Sequence, residues 1–173
     1  MVTRPEKHDV IDHAGGLDAS VVRAHPATIN ESFAAGMTGL APDDIVLLGF
    51  PDSIWEPRDG YRVLVKAVEG GEGIALGLFD APGVAGSDYL VFDDSGRITD
   101  IDIKPARPRS TFIWGCAAAR VRALEGLERV EWPSDFMNAR RAAGQELFGV
   151  PLSDSYVDIG TKESLRQALA SSS

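Results

Sequence analysis

Cysteine and histidine are scarce in this 173-residue sequence, which narrows the chemistry open to it. The lone cysteine, Cys116, has no partner for an intrachain disulfide or a zinc site, and its apolar neighbours indicate a buried structural thiol. The three histidines, His8, His13 and His25, are too scattered for a metal-binding motif, and we assign none of them a catalytic role. The sequence therefore excludes folds held by disulfides and zinc sites built from Cys and His.

Long apolar runs and an excess of positive charge are also missing. No apolar stretch is long enough to span a bilayer, and residues 1–6 lack the hydrophobic segment of a signal peptide, so we expect a cytoplasmic protein without a membrane partner. The 17 basic and 26 acidic side chains give a net charge of −9, which argues against nucleic-acid binding. An acidic protein can still bind a small anion where a few basic groups and a divalent cation converge.

Familiar catalytic loops are absent as well. The sequence has no Gly-X-Ser-X-Gly elbow and no nearby Cys/His pair, so nucleophilic hydrolysis has no support. It has no Gly-X-Gly-X-X-Gly or Walker loop for nucleotide phosphates.

Six arginines cluster in two regions, and we interpret them as solvated helix and loop faces or as an oligomer contact: Arg107, Arg109, Arg120, Arg122, Arg140 and Arg141.

The predicted elements indicate an α/β fold with a mixed, mostly parallel sheet flanked by helices. In chain order they are a helix at 5–15, a strand at 20–24, a helix at 28–39, a strand at 44–50, a helix at 59–68, a strand at 73–79, hairpin strands at 89–92 and 97–104, a strand at 111–117, helical segments up to 147, a strand at 156–158 and a helix at 162–170. Residues 44–50 are apolar throughout, which predicts a strand buried on both faces, as in a parallel sheet. Residues 93–96, Asp-Asp-Ser-Gly, predict the hairpin turn. No linker divides the chain, so we expect one domain, residues 1–173, with a disordered tail at 170–173.

Three residues that end predicted strands are candidates for chemistry. Asp52 and Asp158 stand where α/β sheets bind ligands, and Mg²⁺ is commonly held by one or two carboxylates together with substrate phosphates. Lys104 closes another strand before Pro105, and its ammonium suits a phosphate. The alternatives are that each aspartate caps the turn or helix that follows it and that Lys104 is a solvated surface residue. Taken singly, each position favours its alternative.

The order of these segments resembles that of the sugar-1-phosphate nucleotidyltransferases. The resemblance is carried by residues 44–52, which end in Pro-Asp, by residues 75–79, by the hairpin at 91–98, by Lys104-Pro105, and by residues 156–165, which contain Asp-X-Gly-Thr-X-Glu-X-Leu. It covers essentially the whole chain and is strongest for the glucose-1-phosphate thymidylyltransferase type. The resemblance implies a Rossmann-like fold of the nucleotide-diphospho-sugar transferase type.

The resemblance also implies a reaction and its residues. A nucleoside triphosphate and a sugar 1-phosphate would give a nucleotide sugar and pyrophosphate, by an in-line displacement that depends on positioning and charge neutralisation. Asp52 and Asp158 match the catalytic aspartates that bind Mg²⁺, and Lys104 matches the lysine that contacts the sugar phosphate. Asp88 and Gly115 fall at further substrate-binding positions, and we expect a homo-oligomer.

The sequence departs from the family pattern in several places. It matches the carboxy-terminal three quarters of the family, without the first strand or the Gly-rich loop that binds the triphosphate. Ile103 replaces a glutamate before Lys104-Pro105, Ser87-Asp88 replaces Tyr-Gly, and residues 26–28, Pro-Ala-Thr, replace Pro-X-Gly. We therefore expect this chain to be inactive alone and to expose unpaired strand edges that favour association.

Two other functions remain to be compared with this one. A non-catalytic sugar-phosphate-binding or regulatory subunit would use the same residues without turnover. A Mg²⁺-dependent phosphohydrolase with Asp52 as its nucleophile is disfavoured, because such an enzyme would need an acidic residue two positions later, where this sequence has Ile54.

Overall fold

The computed structural model describes residues 1–17, 19–84, 86–94, 97–153 and 155–171. The strands are, in chain order, β1 (Val2–Thr3), β2 (Val22–Arg23), β3 (Ile45–Gly49), β4 (Ser53–Trp55), β5 (Ile74–Asp80), β6 (Tyr89–Phe92), β7 (Ile98–Asp102), β8 (Phe112–Arg120), β9 (Leu147–Ser153) and β10 (Tyr156–Asp158). The α-helices are α1 (His8–Gly15), α2 (Ile29–Met37), α3 (Gly60–Val68), α4 (Pro133–Ala142) and α5 (Lys162–Ser171). Two short 3₁₀ helices, Val121–Leu124 and Leu127–Arg129, lie between β8 and α4.

A mixed six-stranded sheet forms the centre of the fold, as predicted for an α/β protein. Five strands follow the order β7–β6–β8–β5–β9. The sixth strand, β3, shares one edge of β8 with β6: β6 pairs with the first half of β8, and β3 pairs with its second half. Strands β5 and β9 are parallel, and β8 is antiparallel to β3, β5 and β6. Two small sheets stand apart from it, the parallel pair β1–β2 and the antiparallel pair β4–β10.

Strands β5 and β8 carry the core because both of their faces are covered. Alternate residues of β5 enter two different apolar clusters: Leu76 packs with residues of α4, and Phe79 packs with residues of α3. Small side chains from Cys116 to Ala119 let helices approach β8 closely from both sides. Helices therefore lie on both faces of the sheet, as the sequence predicted.

The outer edges of β7 and β3, both on the side of β8 that faces away from β5, differ in whether another group covers them. The side-chain amide of Asn138 covers the edge of β7, because it accepts from the N–H of Ile101 at 3.0 Å and donates to the carbonyl of Ile101 at 2.9 Å. In contrast, the edge of β3 that faces away from β8 pairs with no strand in the described part of the chain. The predicted open strand edge is thus present, whereas the association that it would favour stays a prediction.

The prediction of a doubly buried, parallel strand at residues 44–50 is wrong. Strand β3 is antiparallel to β8, and although Val46 and Leu48 are buried, Leu47 between them is 45% exposed. A continuous apolar run looks the same in sequence whether one or both faces are covered. Strand β5, like β8, is buried on both faces, and β5 also has a parallel neighbour.

Other differences lie towards the end of the chain. Residues 147–153 form strand β9, which the sequence did not predict because Gly149 and Pro151 are both unfavourable in strands. Pro151 is accommodated because β9 is the last strand of the sheet and pairs on one side only. Helix α5 continues through Ser171, within the tail that the sequence predicted to be disordered; residues 172–173 and the turn residues 95–96 lie outside the described residues.

The predicted beginning of α2 is confirmed in detail. Thr28 Oγ1 accepts from the N–H of Glu31 at 3.1 Å, and the Glu31 carboxylate accepts from the N–H of Ala27 at 2.6 Å. The first bond satisfies a backbone donor that an uncapped helix leaves free, and the second holds the residue that precedes the cap. None of the described helices combines the length and the apolar character needed to cross a membrane.

Cys116 provides a test of the core through the pH dependence of stability. Its side chain is fully buried, and burial raises the pKa of the thiol from 9.0 to about 12. Because the folded-state pKa is the higher one, the stabilisation is complete below pH 9 and is lost as the pH rises towards 12. We expect the free energy of unfolding, measured by urea denaturation, to fall over this range by at most about 4 kcal/mol from this group.

The Cys116→Ala variant is the control for this prediction. In that variant the decline should begin about one pH unit later, when the buried tyrosines start to ionise in the unfolded chain. Identical pH profiles for the two proteins would show that the thiol is not buried as described.

Candidate functional site

Asp52 and Asp158 are brought together by the pairing of two short strands. Asp52 immediately precedes β4, and Asp158 is the last residue of β10, where it lies opposite Ser53. One further bond extends this pairing, since the N–H of Ile159 donates to the carbonyl oxygen of Asp52 at 2.7 Å. The two aspartates are therefore neighbours in space although they are far apart in sequence.

Gly160 lies between the two carboxylates. Its N–H donates to Asp158 Oδ1 at 2.7 Å. A Cβ atom at this position would lie 2.7 Å from Asp52 Oδ2 and 3.1 Å from Asp158 Oδ1, so both carboxylates border the same point and leave no room for a side chain. Both aspartates are exposed, and two neighbouring carboxylates repel each other until a cation is shared between them.

The capping alternative is confirmed for Asp158, which caps the turn that follows it and not helix α5, but it is not confirmed for Asp52. The N-terminus of α5 is capped by Thr161, whose Oγ1 accepts from the N–H of Ser164 at 3.0 Å. Asp158 instead closes a turn onto Gly160, and among the described residues none donates a hydrogen bond to the carboxylate of Asp52. The Asp52 carboxylate is therefore available to a ligand.

A cation at this position would need ligands besides the two aspartates. Within the described residues no group of three or more His, Cys, Asp or Glu side chains could hold a metal ion. Mg²⁺ is compatible with such a site, because it usually keeps several waters and takes one or two carboxylates plus substrate phosphates. The donor set therefore fits Mg²⁺ that is completed by a phosphate-containing substrate.

Tyr156 lies beneath the two aspartates. Burial raises the pKa of Tyr156 to about 12; a hydrogen bond with Ser53 opposes the shift, and the charges of Asp158 and Asp52 add to it. Its ring packs 5.0 Å from that of Phe79, measured between centroids. The acidic pair thus stands on an apolar aromatic layer that belongs to the core.

Gly115 lies under this layer rather than on the surface. A Cβ atom there would lie 2.5 Å from Tyr156 Cε2 and 3.0 Å from Phe79 Cε2. The packing of these rings is sufficient reason for glycine at this position. The substrate contact that the family resemblance implies for Gly115 stays a prediction.

Lys104 and Asp88 form a second cluster. The backbone N–H of Lys104 donates to Asp88 Oδ1 at 3.1 Å, which helps to hold Lys104 at its unusual positive φ of 44°. The Lys104 ammonium lies 3.6 Å from the centre of the Trp132 ring, in a cation–π contact. No hydrogen bond or ion pair of the described residues joins Lys104 to Asp52 or Asp158.

Ser134 ties the second cluster to the core. Its hydroxyl is fully buried, accepts from Trp114 Nε1 at 2.9 Å and donates to the carboxylate of Asp88. The Trp114 ring in turn packs 5.6 Å from the ring of Phe50, two residues before Asp52. The two clusters are therefore linked by packing through Trp114 and Phe50, not by a polar contact.

The loop that carries Lys104 is also held by an arginine. Arg109, interpreted from sequence as part of a solvated face, donates to Asp100 at 2.7 Å and to Asp102 at 2.9 Å. Its hydrogen bonds hold the pKa of Asp102 below the ordinary value. Arg109 thus fixes the end of β7 from which the chain continues to Lys104.

The sequence reasoning missed four residues that shape these clusters: Tyr156, Gly160, Trp132 and Ser134. Gly160 and Tyr156 lie inside the closing segment of the family pattern, but in that segment the resemblance implies a role for Asp158 only. No local signal marks Trp132 or Ser134, because their roles depend on contacts with distant parts of the chain.

No protein-family model matches the sequence, and no curated protein matches it. Among solved structures, the chain is similar to a crystal structure of a Bacillus anthracis protein provisionally named a glucose-1-phosphate thymidylyltransferase, in complex with sucrose. The TM-score is 0.78 at 18% sequence identity, over 98% of this chain and 73% of that chain. This likeness shows the fold. The predicted nucleotidyltransferase-type architecture is thereby confirmed, and the roles of individual residues stay predictions.

The buried bridge at Ser134 can be tested by removing its hydroxyl. We expect Ser134→Ala to lower the free energy of unfolding by about 1–3 kcal/mol, because Trp114 Nε1 would lose its partner in the interior. Urea denaturation followed by tryptophan fluorescence measures this difference. Ser20→Ala, at an exposed position, is the control and should change stability by less than about 0.5 kcal/mol. Equal effects of the two substitutions would contradict the bridge.

Proposed function

We propose that this chain is a nucleotidyltransferase-type protein that binds a sugar 1-phosphate together with Mg²⁺ at Asp52 and Asp158. The observation that carries the proposal is the convergence of both carboxylates on Gly160, at the end of paired strands and open to solvent. The fold is that of a structure named for glucose-1-phosphate thymidylyl transfer. The fold and the acidic pair support the same class of reaction.

The chemistry of this class needs little from the protein beyond positioning and charge. A sugar phosphate oxygen attacks the α-phosphorus of a nucleoside triphosphate, the bond to the β-phosphate oxygen breaks, and pyrophosphate leaves. Mg²⁺, when bound, would neutralise phosphate charge. Asp52 and Asp158 would hold the ion, and the Gly160 N–H would orient the carboxylate of Asp158.

Lys104 has a supporting role in this proposal. Its ammonium is exposed and lies on the face of Trp132, so it can reach a substrate phosphate without breaking an ion pair. Asp88 and Arg109 hold the backbone around it through the contacts described above. Lys104 would therefore contribute a positive charge to the site, and the backbone of this residue is already fixed before the sugar phosphate binds.

One observation favours a second candidate, a non-catalytic sugar-phosphate-binding subunit. Among the described residues, no lysine or arginine forms an ion pair with Asp52 or Asp158. Nucleotidyl transfer places strong negative charge on the leaving pyrophosphate, which an active enzyme normally neutralises with several cations. The two candidates differ in turnover: binding of sugar 1-phosphate without formation of pyrophosphate would favour the subunit.

Calorimetric titration tests the acidic pair directly. Glucose 1-phosphate titrated in the presence of Mg²⁺ should bind the unmodified chain, and binding should weaken when Mg²⁺ is replaced by EDTA. We expect Asp52→Asn and Asp158→Asn each to weaken it by about 10- to 100-fold or more, since even outer partners of metal ligands have effects of that size. Lys104→Ala should weaken binding in both the presence and the absence of Mg²⁺.

Asp59→Asn is the matched control for these variants. Asp59 is exposed, and its side chain makes no capping hydrogen bond at the start of α3, so the substitution removes one negative charge from the surface only. An effect of Asp59→Asn as large as that of Asp52→Asn would show that the titration reports net charge rather than a site.

Gly160→Ala tests the same site without any change of charge. The added methyl group would stand 2.7 Å from Asp52 Oδ2, so the carboxylate must move. We expect Mg²⁺-dependent binding of glucose 1-phosphate to weaken by roughly tenfold or more. Gly70→Ala is the control, because a Cβ there meets no atom within 4 Å. Unchanged binding in Gly160→Ala would place the ligand away from these two aspartates.

A further inference from the structure

Lys104 is a cation without an acidic partner on an acidic protein. The chain has a net charge of −9, yet among the described residues no carboxylate forms an ion pair with the Lys104 ammonium. Its Nζ lies instead 3.6 Å from the centre of the Trp132 ring. An aromatic face attracts a cation through the quadrupole of the ring and carries no net charge. The charge of Lys104 is therefore held in place but not cancelled.

Two carboxylates near Lys104 in the structure or in the sequence are engaged by other donors. Asp88 accepts the backbone N–H of Lys104 at one oxygen and the hydroxyl of Ser134 at the other. Asp102, two residues before Lys104, accepts from Arg109 at 2.9 Å. These carboxylates therefore hold the backbone, a hydroxyl and an arginine, and the Lys104 ammonium stays available to an anion from solution.

The carboxylate of Asp88 fixes both sides of the cation–π contact. On one side it holds the backbone of Lys104, whose φ of 44° is unusual for a residue with a side chain. On the other side it accepts from Ser134, which is fully buried and lies two residues after Trp132. Pro133 begins helix α4 between these two residues and restricts the backbone further. The ring and the ammonium thus meet because one carboxylate anchors the segments that carry them.

We propose that Trp132 is a positioning residue that holds the ammonium of Lys104 ready for the phosphate of a sugar 1-phosphate. This role rests on the proposed function, since the phosphate is the one that Lys104 is proposed to bind. The ring covers one side of the ammonium, so the N–H donors on the other side can reach phosphate oxygens. A lysine side chain loses rotamer freedom when it binds an anion, and the ring removes part of that freedom in advance.

Two other roles for the ring lead to different results. A sugar that stacked on the same face of Trp132 would displace the ammonium from it. A ring that held the ammonium away from the phosphate would weaken binding, so its removal would strengthen binding. Trp132 is 37% exposed, so a ligand can reach the contact and the three roles can be separated by titration.

NMR titration of glucose 1-phosphate in EDTA tests the positioning role without the Mg²⁺ site. Trp132→Leu should weaken binding about two- to fivefold, the size of an exposed cation–π contact. Trp132→Phe keeps an aromatic face and should bind within about twofold of the unmodified chain. Lys104→Ala should weaken binding by roughly tenfold or more. Lys66→Ala, which removes an exposed positive charge from α3, is the control and should have less than about a twofold effect.

The double variant Lys104→Ala/Trp132→Leu separates positioning from contact with the sugar. A ring that acts through Lys104 has nothing to position once the ammonium is removed, so the double variant should bind as the Lys104→Ala variant does. Inorganic phosphate, which has no sugar, should rank the variants in the same order as glucose 1-phosphate.

The ε-methylene protons of Lys104 report the contact in the unmodified chain. The ring current of Trp132 should shift them upfield of the corresponding protons of the exposed residues Lys7, Lys66 and Lys162. Lys104→Arg assigns the signal, and Trp132→Leu should abolish the shift. Since the proposed contact persists in the complex, the upfield shift should remain when glucose 1-phosphate binds.

Several results would overturn the proposal. They are binding to Trp132→Leu that equals or exceeds binding to the unmodified chain, an equal effect of that substitution with and without Lys104, loss of the upfield shift on binding, and no binding in EDTA. The full pattern of Trp132 effects without any dependence on Mg²⁺ would support the positioning role and contradict the acidic pair as the Mg²⁺ site. Failure of the proposed function is thereby distinguished from failure of this role for Trp132.

Discussion

The pairing of β4 with β10 is the interaction on which the candidate site depends. These strands have three residues each, yet their register sets Asp158 opposite Ser53 and lets Ile159 donate to the carbonyl of Asp52. Isolated strands of this length are not stable, so the pair depends on Tyr156 and Trp55, whose rings pack on Phe79 of the core. The acidic pair is therefore rigid to the extent that the aromatic layer beneath it is rigid.

The same core strand explains why the molecule has both a site and an open edge. Strand β8 uses one side for β5 and divides the other between β6 and β3. The β6 end leads to Asp88 and the Lys104 cluster, whereas the β3 end leads to Asp52.

The sequence could predict what depends on local pattern. The beginning of helix α2, helix α3 and the hairpin strands follow from residue types a few positions apart, and their predictions are confirmed. The position of Asp52 and Asp158 at strand ends was also predictable, but their proximity depends on the pairing of short strands that carry no periodic signal. The exposure of Leu47 and the bridge at Ser134 were not predictable, because each is decided by which distant segment covers the residue.

The central claim is that Asp52 and Asp158 form one cation site that a sugar phosphate completes. The most direct test is a crystal structure of the chain grown with Mn²⁺, as a substitute for Mg²⁺ that scatters anomalously, and glucose 1-phosphate. The account predicts an anomalous peak between the two carboxylates beside Gly160, with a phosphate oxygen among the ligands of the ion. Mn²⁺ bound elsewhere, with the phosphate distant from both aspartates, would contradict it.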